Sequence, residues 1–206
     1  MKIDHNKDSL EDVIITAARQ LFMERGYVDT TMSQIAVKAG INRPTLHYYF
    51  RTKDKMFKTV YADLILAFTL RIQNIFSEES PFLDKVEKVL DEYILIFRKY
   101  PDLPWFILSE TRRDIRYMQE TVKSLNFDKY PRMVEKYLRD EMQKGHLKTV
   151  PVPVIFLTFY SQLIFPFVGK NIIISFFCEN DDQFQSLIAE WKKQILWQMK
   201  NLLCHD

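Results

Sequence analysis

Glycine is scarce in this chain, at four of 206 residues. A β-sandwich or barrel joins many strands through tight turns, and such turns lean on glycine, so a strand-rich fold is excluded and helices are favoured. Cysteine is rarer still. Cys178 and Cys204 stand far apart in apolar surroundings, in neither a Cys-x-x-Cys nor a metal-ligand spacing. A disulfide framework is therefore not expected, and reduced thiols in a cytosol are. The four histidines, His5, His47, His146 and His205, form no His-Glu-x-x-His pattern. A glycine-rich phosphate loop and a nucleophile elbow are both missing. An enzyme is not expected on these grounds, and neither is a metal or another cofactor. The first eight residues lack the apolar core of a signal peptide, so the expected location is cytoplasmic. A net charge of only +2 excludes a uniformly basic nucleic-acid binder.

What is present suits a globular protein: 47% apolar and 27% charged residues. Sixteen phenylalanines supply ring area that must line a core, a cavity or an interface. The charge is unevenly placed. Residues 19–58 hold eight basic side chains against three acidic ones, which leaves the rest of the chain with a small acidic excess. A basic N-terminal module suggests a polyanionic partner, although asymmetry of this size also arises by chance.

The pattern of caps and apolar spacing predicts an all-α chain. Ser9 with Asp12 gives a capping-box-like start, and Val13, Ile14, Ala17, Ala18, Leu21 and Phe22 then share one helical face up to Gly26. Thr31 and Gln34 form a second capping box, before Ile35, Ala36 and Ala39, and Gly40 ends that short helix. Asn42 caps a third helix in which Pro44 is tolerated, because first-turn N–H groups have no intrahelical partner. Thr52 caps a long fourth helix over about 53–76. Further helices are expected at about 81–99, 103–117, 128–144, 153–168 and 181–203. The last has Phe184, Ile188, Trp191, Ile195, Met199 and Leu202 in one stripe. Asn171–Cys178 is β-branched and aromatic and stays ambiguous between strand and helix. Glu110, Arg112 and Arg113 read as an exposed helix face.

The two short helices around Gly40 make a helix-turn-helix. Small Ala36 lets them cross closely, while Ile41, Leu46 and Phe50 anchor the second on the first. The opposite face then presents Pro44, Thr45, Tyr48 and Arg51, with His47 at its edge. A helix of this size fits the major groove and reads base edges near its N-terminus. Arg43, Arg51, Lys53 and Lys55 stand where phosphates would run.

The stretch Thr31-x-x-x-Ile35-Ala36-x-x-Ala39-Gly40-Ile41-Asn42-x-x-Thr45-Leu46-x-Tyr48-Tyr49-Phe50-x-x-Lys53 resembles the DNA-binding signature of TetR-family regulators. So does the preceding Leu21-Phe22-x-x-x-Gly26-Tyr27. The resemblance is good over residues 10–60, and beyond them only the helical layout agrees. Asn42 stands where serine is common, Pro44 where glycine is, and His47 where tyrosine is; the latter two bear on which operator is read. The resemblance implies DNA contact by Thr31, Thr45, Tyr48 and Lys53, with Asn42, Arg43, Pro44 and His47 on the same surface. Residues 1–52 would form the DNA-binding domain, and 53–206 a helical domain for effector binding and dimerisation.

One short reading helix gives little specificity alone, so a homodimer on a two-fold operator is expected. The resemblance implies that the helices at 153–168 and 181–203 form its interface. It also implies a pocket for an apolar or aromatic effector, with Tyr93, Phe97, Trp105, Phe106, Phe127, Tyr130, Phe156, Phe159 and Tyr160 as candidate lining. Release from double-stranded DNA on effector binding would make the chain a repressor. The uncharged run 149–169 is about long enough to span a bilayer. Its prolines, Thr158, Ser161 and Gln162 fit a buried helix better than a lipid-facing one, so no membrane partner is expected. A helix-turn-helix serving protein contact alone is the remaining alternative.

Overall fold

The computed structural model describes residues 9–205, with His5 and its neighbours outside that range. Eleven helices make up the described residues: α1 Leu10–Arg25, α2 Met32–Lys38, α3 Arg43–Tyr49, α4 Lys53–Ser77, α5 Phe82–Lys99, α6 Leu103–Arg113, α7 Ile115–Ser124, α8 Lys129–Gln143, α9 Val152–Val168, α10 Lys170–Phe177 and α11 Asp181–Leu203. The fold is all-α, as the paucity of glycine requires.

The N-terminal caps form as their sequence spacing predicts. Asp12 N donates to Ser9 Oγ at 3.2 Å, and Ser9 N donates back to Asp12 Oδ2 at 3.0 Å. Thr31 and Gln34 repeat this reciprocal pair at α2. Gly26 ends α1 at φ +76°. Of the apolar face of α1, only Val13 remains exposed.

Two elements differ from the sequence reading. The helix expected over 103–117 is broken into α6 and α7. Asp114 leaves the helical region (φ −154°) and caps the next turn by accepting from Tyr117 N at 3.0 Å. Short acidic side chains offer the backbone this local alternative to a continuous helix. The ambiguous segment at 171–178 is the helix α10. Its Ile173 and Ile174 pack on the cluster of Ile94, Phe184 and Ile188, a tertiary contact that β-branched local preference does not report.

The chain packs as two compact units. One contains the described residues through Ala67 together with Trp105–Leu125. Its centre is a ring cluster in which Phe57 meets Phe22 edge-on at 5.2 Å and Phe106 at 5.8 Å. A boundary at 52/53 would separate Phe57 from Phe22. Phe57 of α4 thus packs together with Phe22 of α1.

The other unit contains Phe68–Pro104 and Asn126 onward. Here buried Lys85 caps the end of α4, donating to Ile75 O at 3.1 Å and to Glu78 O. Pro166 lies inside α9 and has no N–H, so the carbonyl of Gln162 loses its helical donor. Trp191 on α11 supplies the replacement, Nε1 donating to Gln162 O at 2.9 Å. Among the described residues no single helix is long and apolar enough to cross a bilayer, and α9 with α10 qualify only as a pair bent by 70°.

Replacing Trp191 by Phe keeps a ring but removes that donor. The loss expected in chemical unfolding is about 1–3 kcal/mol, the cost of an unsatisfied part-buried carbonyl plus reduced packing. A Trp191→Phe protein as stable as the parent would show that solvent satisfies Gln162 O equally well.

Candidate nucleic-acid interface and internal cavity

The reading helix α3 is fixed from below and free above. Ile35, Ala36 and Leu46 are buried between α2 and α3, and Ile41 N donates to Ala36 O at 3.0 Å to close the turn. Gly40 supplies the positive φ (+69°) that this turn needs. Asn42 Oδ1 accepts from Thr45 N at 2.8 Å and so holds the first turn of α3. The outer face carries exposed Arg43 and Pro44, half-buried Thr45 and His47, and Tyr48 at 84% exposure. Tyr49 meets Tyr48 edge-on at 5.4 Å and supports its ring from the side. Thr31 is exposed at the start of α2.

Lys53 differs from its neighbours. Its Nζ donates to Tyr27 O at 2.8 Å and to Val28 O at 3.2 Å, and lies 4.3 Å from the centre of the Tyr27 ring. A cation in the first turn of a helix is disfavoured by the dipole, and these carbonyls offset that. An ammonium has three N–H donors, so one remains for another acceptor.

The same corner explains Glu110, which the sequence reading placed on an exposed face. The structure corrects this: its side chain is only 3% exposed. Oε1 accepts from Tyr27 N at 2.7 Å, and Oε2 accepts from Arg113 Nε at 2.8 Å. The Arg113 guanidinium lies 5.0 Å from the centre of the Tyr27 ring. Below it, Tyr117 OH donates to Asp54 Oδ1 at 2.5 Å, and burial together with this bond raises the Tyr117 pKa. No local pattern announces a contact between Tyr27 and a residue 83 positions away.

The second unit holds a partly open apolar cavity of about 60 Å³. Of the nine aromatic candidates, Tyr130, Phe156, Phe159 and Tyr160 line it. Tyr93 stands behind the wall, its hydroxyl 2.8 Å from that of Tyr160, and Phe97 packs behind Tyr93. Phe127 is buried in the same unit outside the wall. Trp105 is 60% exposed and Phe106 packs on Phe57, both in the other unit. The remaining wall comes from Phe76, Phe82, Val86, Val89, Val134, Leu138, Ile155 and Met199. Six of these eight carry no ring, so a reading by aromatic residues misses them, and it missed Phe76 and Phe82 as well. The signal was present as helical spacing, Phe82–Val86–Val89 on α5 and Tyr130–Val134–Leu138 on α8.

A second apolar surface faces outward. Val154, Leu157 and Phe165 on α9 and Leu187 and Trp197 on α11 are exposed, as are Ile172, Phe176 and Phe177 on α10. Among the described residues no three His, Cys, Asp or Glu side chains are grouped to hold a metal.

A helix-turn-helix with an open reading face, carried with an all-helical unit that holds a cavity, defines a DNA-binding regulator. Residues 14–60 match the family model for bacterial regulatory proteins of the tetR family. Over these residues the chain is similar to the TetR family of transcriptional regulators. It is 26% identical over 146 residues to the HTH-type transcriptional regulator YhgD of Bacillus subtilis, covering 70% of this chain and 71% of that one. It is 22% identical over 135 residues to the fatty acid metabolism regulator protein of the same organism, covering 66% and 69%. The crystal structure of FadR from Bacillus subtilis in complex with stearoyl-CoA shares the fold, with a TM-score of 0.69 at 19% identity over 91% of this chain and 96% of that one.

Glu110→Ala removes both the acceptor for Tyr27 N and the partner of Arg113. The expected loss is about 2–3 kcal/mol, because a buried N–H is left unpaired. Glu110→Gln keeps an acceptor and should lose about half as much. Urea unfolding followed by far-UV circular dichroism separates the two, and equal losses would assign the whole effect to the charge.

Proposed function

We propose that the chain is a repressor that binds a two-fold operator as a homodimer and leaves it when a small apolar effector enters the cavity. The observation that carries this reading is the face of α3, where Tyr48 stands open to solvent beside Arg43, Pro44 and Thr45. A phenol this exposed contributes nothing to the core, whereas in a major groove it reaches a base edge or a phosphate. Thr31, Asn42 and His47 border the same surface, and Lys53 retains one N–H for a phosphate. In this reading residues 1–52 supply the DNA contact, while 53–206 bind the effector and the second copy. Such a protein works where chromosomal DNA is, in the cytoplasm.

The outer apolar faces of α9 and α11 support dimerisation. Leu157 and Phe165 on α9 and Trp197 on α11 are each more than half exposed, which is costly unless a second copy covers them. The cavity supports an effector whose body is apolar. At about 60 Å³ it is far below the usual 300–1,000 Å³ of a ligand pocket, so an effector must widen it. Phe76 of α4 is part of its wall, and α4 begins at Lys53 beside the reading module. An effector that prefers a widened cavity therefore acts on the helix that carries the DNA-binding end. A shift from mostly bound to mostly released needs about 5 kcal/mol of differential affinity.

The test begins with duplexes selected from a random pool, and fluorescence anisotropy then gives their affinity. Binding should weaken steeply with salt. Tyr48→Ala should weaken it about tenfold with no change in melting temperature, since the ring is exposed. A chain with no salt-sensitive duplex affinity would overturn the reading. Leu157→Glu places a charge on the proposed interface. It should yield a monomer in sedimentation and lose operator affinity, and a variant that stays dimeric would move the interface elsewhere.

A further inference from the structure

The cavity wall is carbon and one thioether sulfur except where two phenols meet it. Tyr130 and Tyr160 line it, and Tyr93 lies immediately behind. Tyr93 OH and Tyr160 OH are 2.8 Å apart, and the Tyr130 phenol interacts electrostatically with both. The Tyr93 and Tyr160 hydroxyls thus satisfy one another, and the Tyr130 phenol completes a three-phenol group at an apolar pocket. Burial raises all three pKa values, and the remaining influences on each come only from the other two phenols. The array contains no carboxylate, guanidinium or ammonium. Lys85, the buried cation of this unit, is committed to the carbonyls at the end of α4.

We propose that Tyr93, Tyr130 and Tyr160 form the head-group site of this cavity and select an uncharged molecule with an apolar body and one hydrogen-bond-accepting oxygen, such as a ketone, ester or quinone carbonyl. The proposal rests on the effector reading of the cavity and narrows its ligand class. For packing alone, three phenylalanines would fill the same space without three hydroxyls to desolvate. Phenols are strong donors and poor acceptors, so they suit an acceptor on the ligand. An entering carbonyl exchanges one phenol–phenol bond for one phenol–ligand bond, and the number of satisfied donors is unchanged. An ionised carboxylate would enter with no counter-cation and would carry an uncompensated desolvation cost. A hydrocarbon would enter without a directional contact.

Ethylbenzene, acetophenone and benzoate share a ring and differ in the head. Titration calorimetry with the full-length protein compares them on wild type and on Tyr130→Phe/Tyr160→Phe, with the single Tyr160→Phe as a milder variant should the double lose its fold. Acetophenone should weaken about three- to tenfold in the variant, the span of one hydrogen bond. Ethylbenzene should be unchanged, and benzoate should bind more weakly than acetophenone. If acetophenone and ethylbenzene change by the same factor, the phenols are plain core and the proposal fails. If benzoate binds as tightly as acetophenone, the uncharged class is wrong. If ethylbenzene binds with no head-group effect, the cavity reading survives alone. If none of the three binds, the cavity reading falls and the proposal falls with it.

Discussion

The carboxylate of Glu110 holds the corner on which the reading module turns. It accepts the backbone N–H of Tyr27 just past the end of α1, where an N–H has no helical partner. A Cβ on Gly26 would lie 2.9 Å from Glu110 Oε1, so the glycine is required by the close approach as well as by its φ of +76°. The corner sets the Tyr27 ring between two cations, Lys53 on α4 and Arg113 on α6. Tyr27 O then receives the Lys53 ammonium. One carboxylate thereby ties α1, α4 and α6 together beneath α2 and α3.

The parts of this arrangement that were legible in the sequence are those written over short distances. Capping at Ser9, Thr31 and Asn42 spans three residues and is decided by which side chain can reach which N–H. The helix-turn-helix follows from two such caps, a turn glycine and a small residue at the crossing. The links that hold modules together are written over long distances and left no pattern. Tyr27 meets Glu110 across 83 positions, and Trp191 reaches Gln162 across 29. Both are single backbone groups in need of a partner. Pro166 did announce that a carbonyl would be orphaned, but not which donor would come to it.

The cavity was legible in part for a different reason. Aromatic residues are conspicuous, and four of the nine singled out do line it. Trp105 and Phe106 belong to other surroundings because α6 packs on Phe57, a placement that composition cannot encode. The aliphatic wall was hidden because valine and leucine on a helical stripe look the same whether they meet a neighbour or a void. A small void is a property of how faces from several helices fit, and no single stripe carries it.

The effector-released regulator proposed above needs a stiff reading module and a compliant cavity on the same chain. The Glu110 corner suits the first need, since its two carboxylate oxygens and the Tyr27 N–H are all bonded there. Compliance would have a different signature: groups satisfied by partners that a ligand can replace. Carbonyls at the end of α4 do not have that character, because Lys85 is buried and its bonds to them have no competitor in an apolar ligand. The phenols do have it, since Tyr93 and Tyr160 are bonded to each other and Tyr130 and Tyr160 face the pocket. In the proposed binding an acceptor would redistribute hydrogen bonds at little net cost, while its bulk would displace the wall, which includes Phe76 of α4. The polar exchange would set which molecule enters, and the displaced volume would do the work on α4. The two tasks therefore fall to different atoms of the same site, so head-group preference and release of DNA should be separable by substitution.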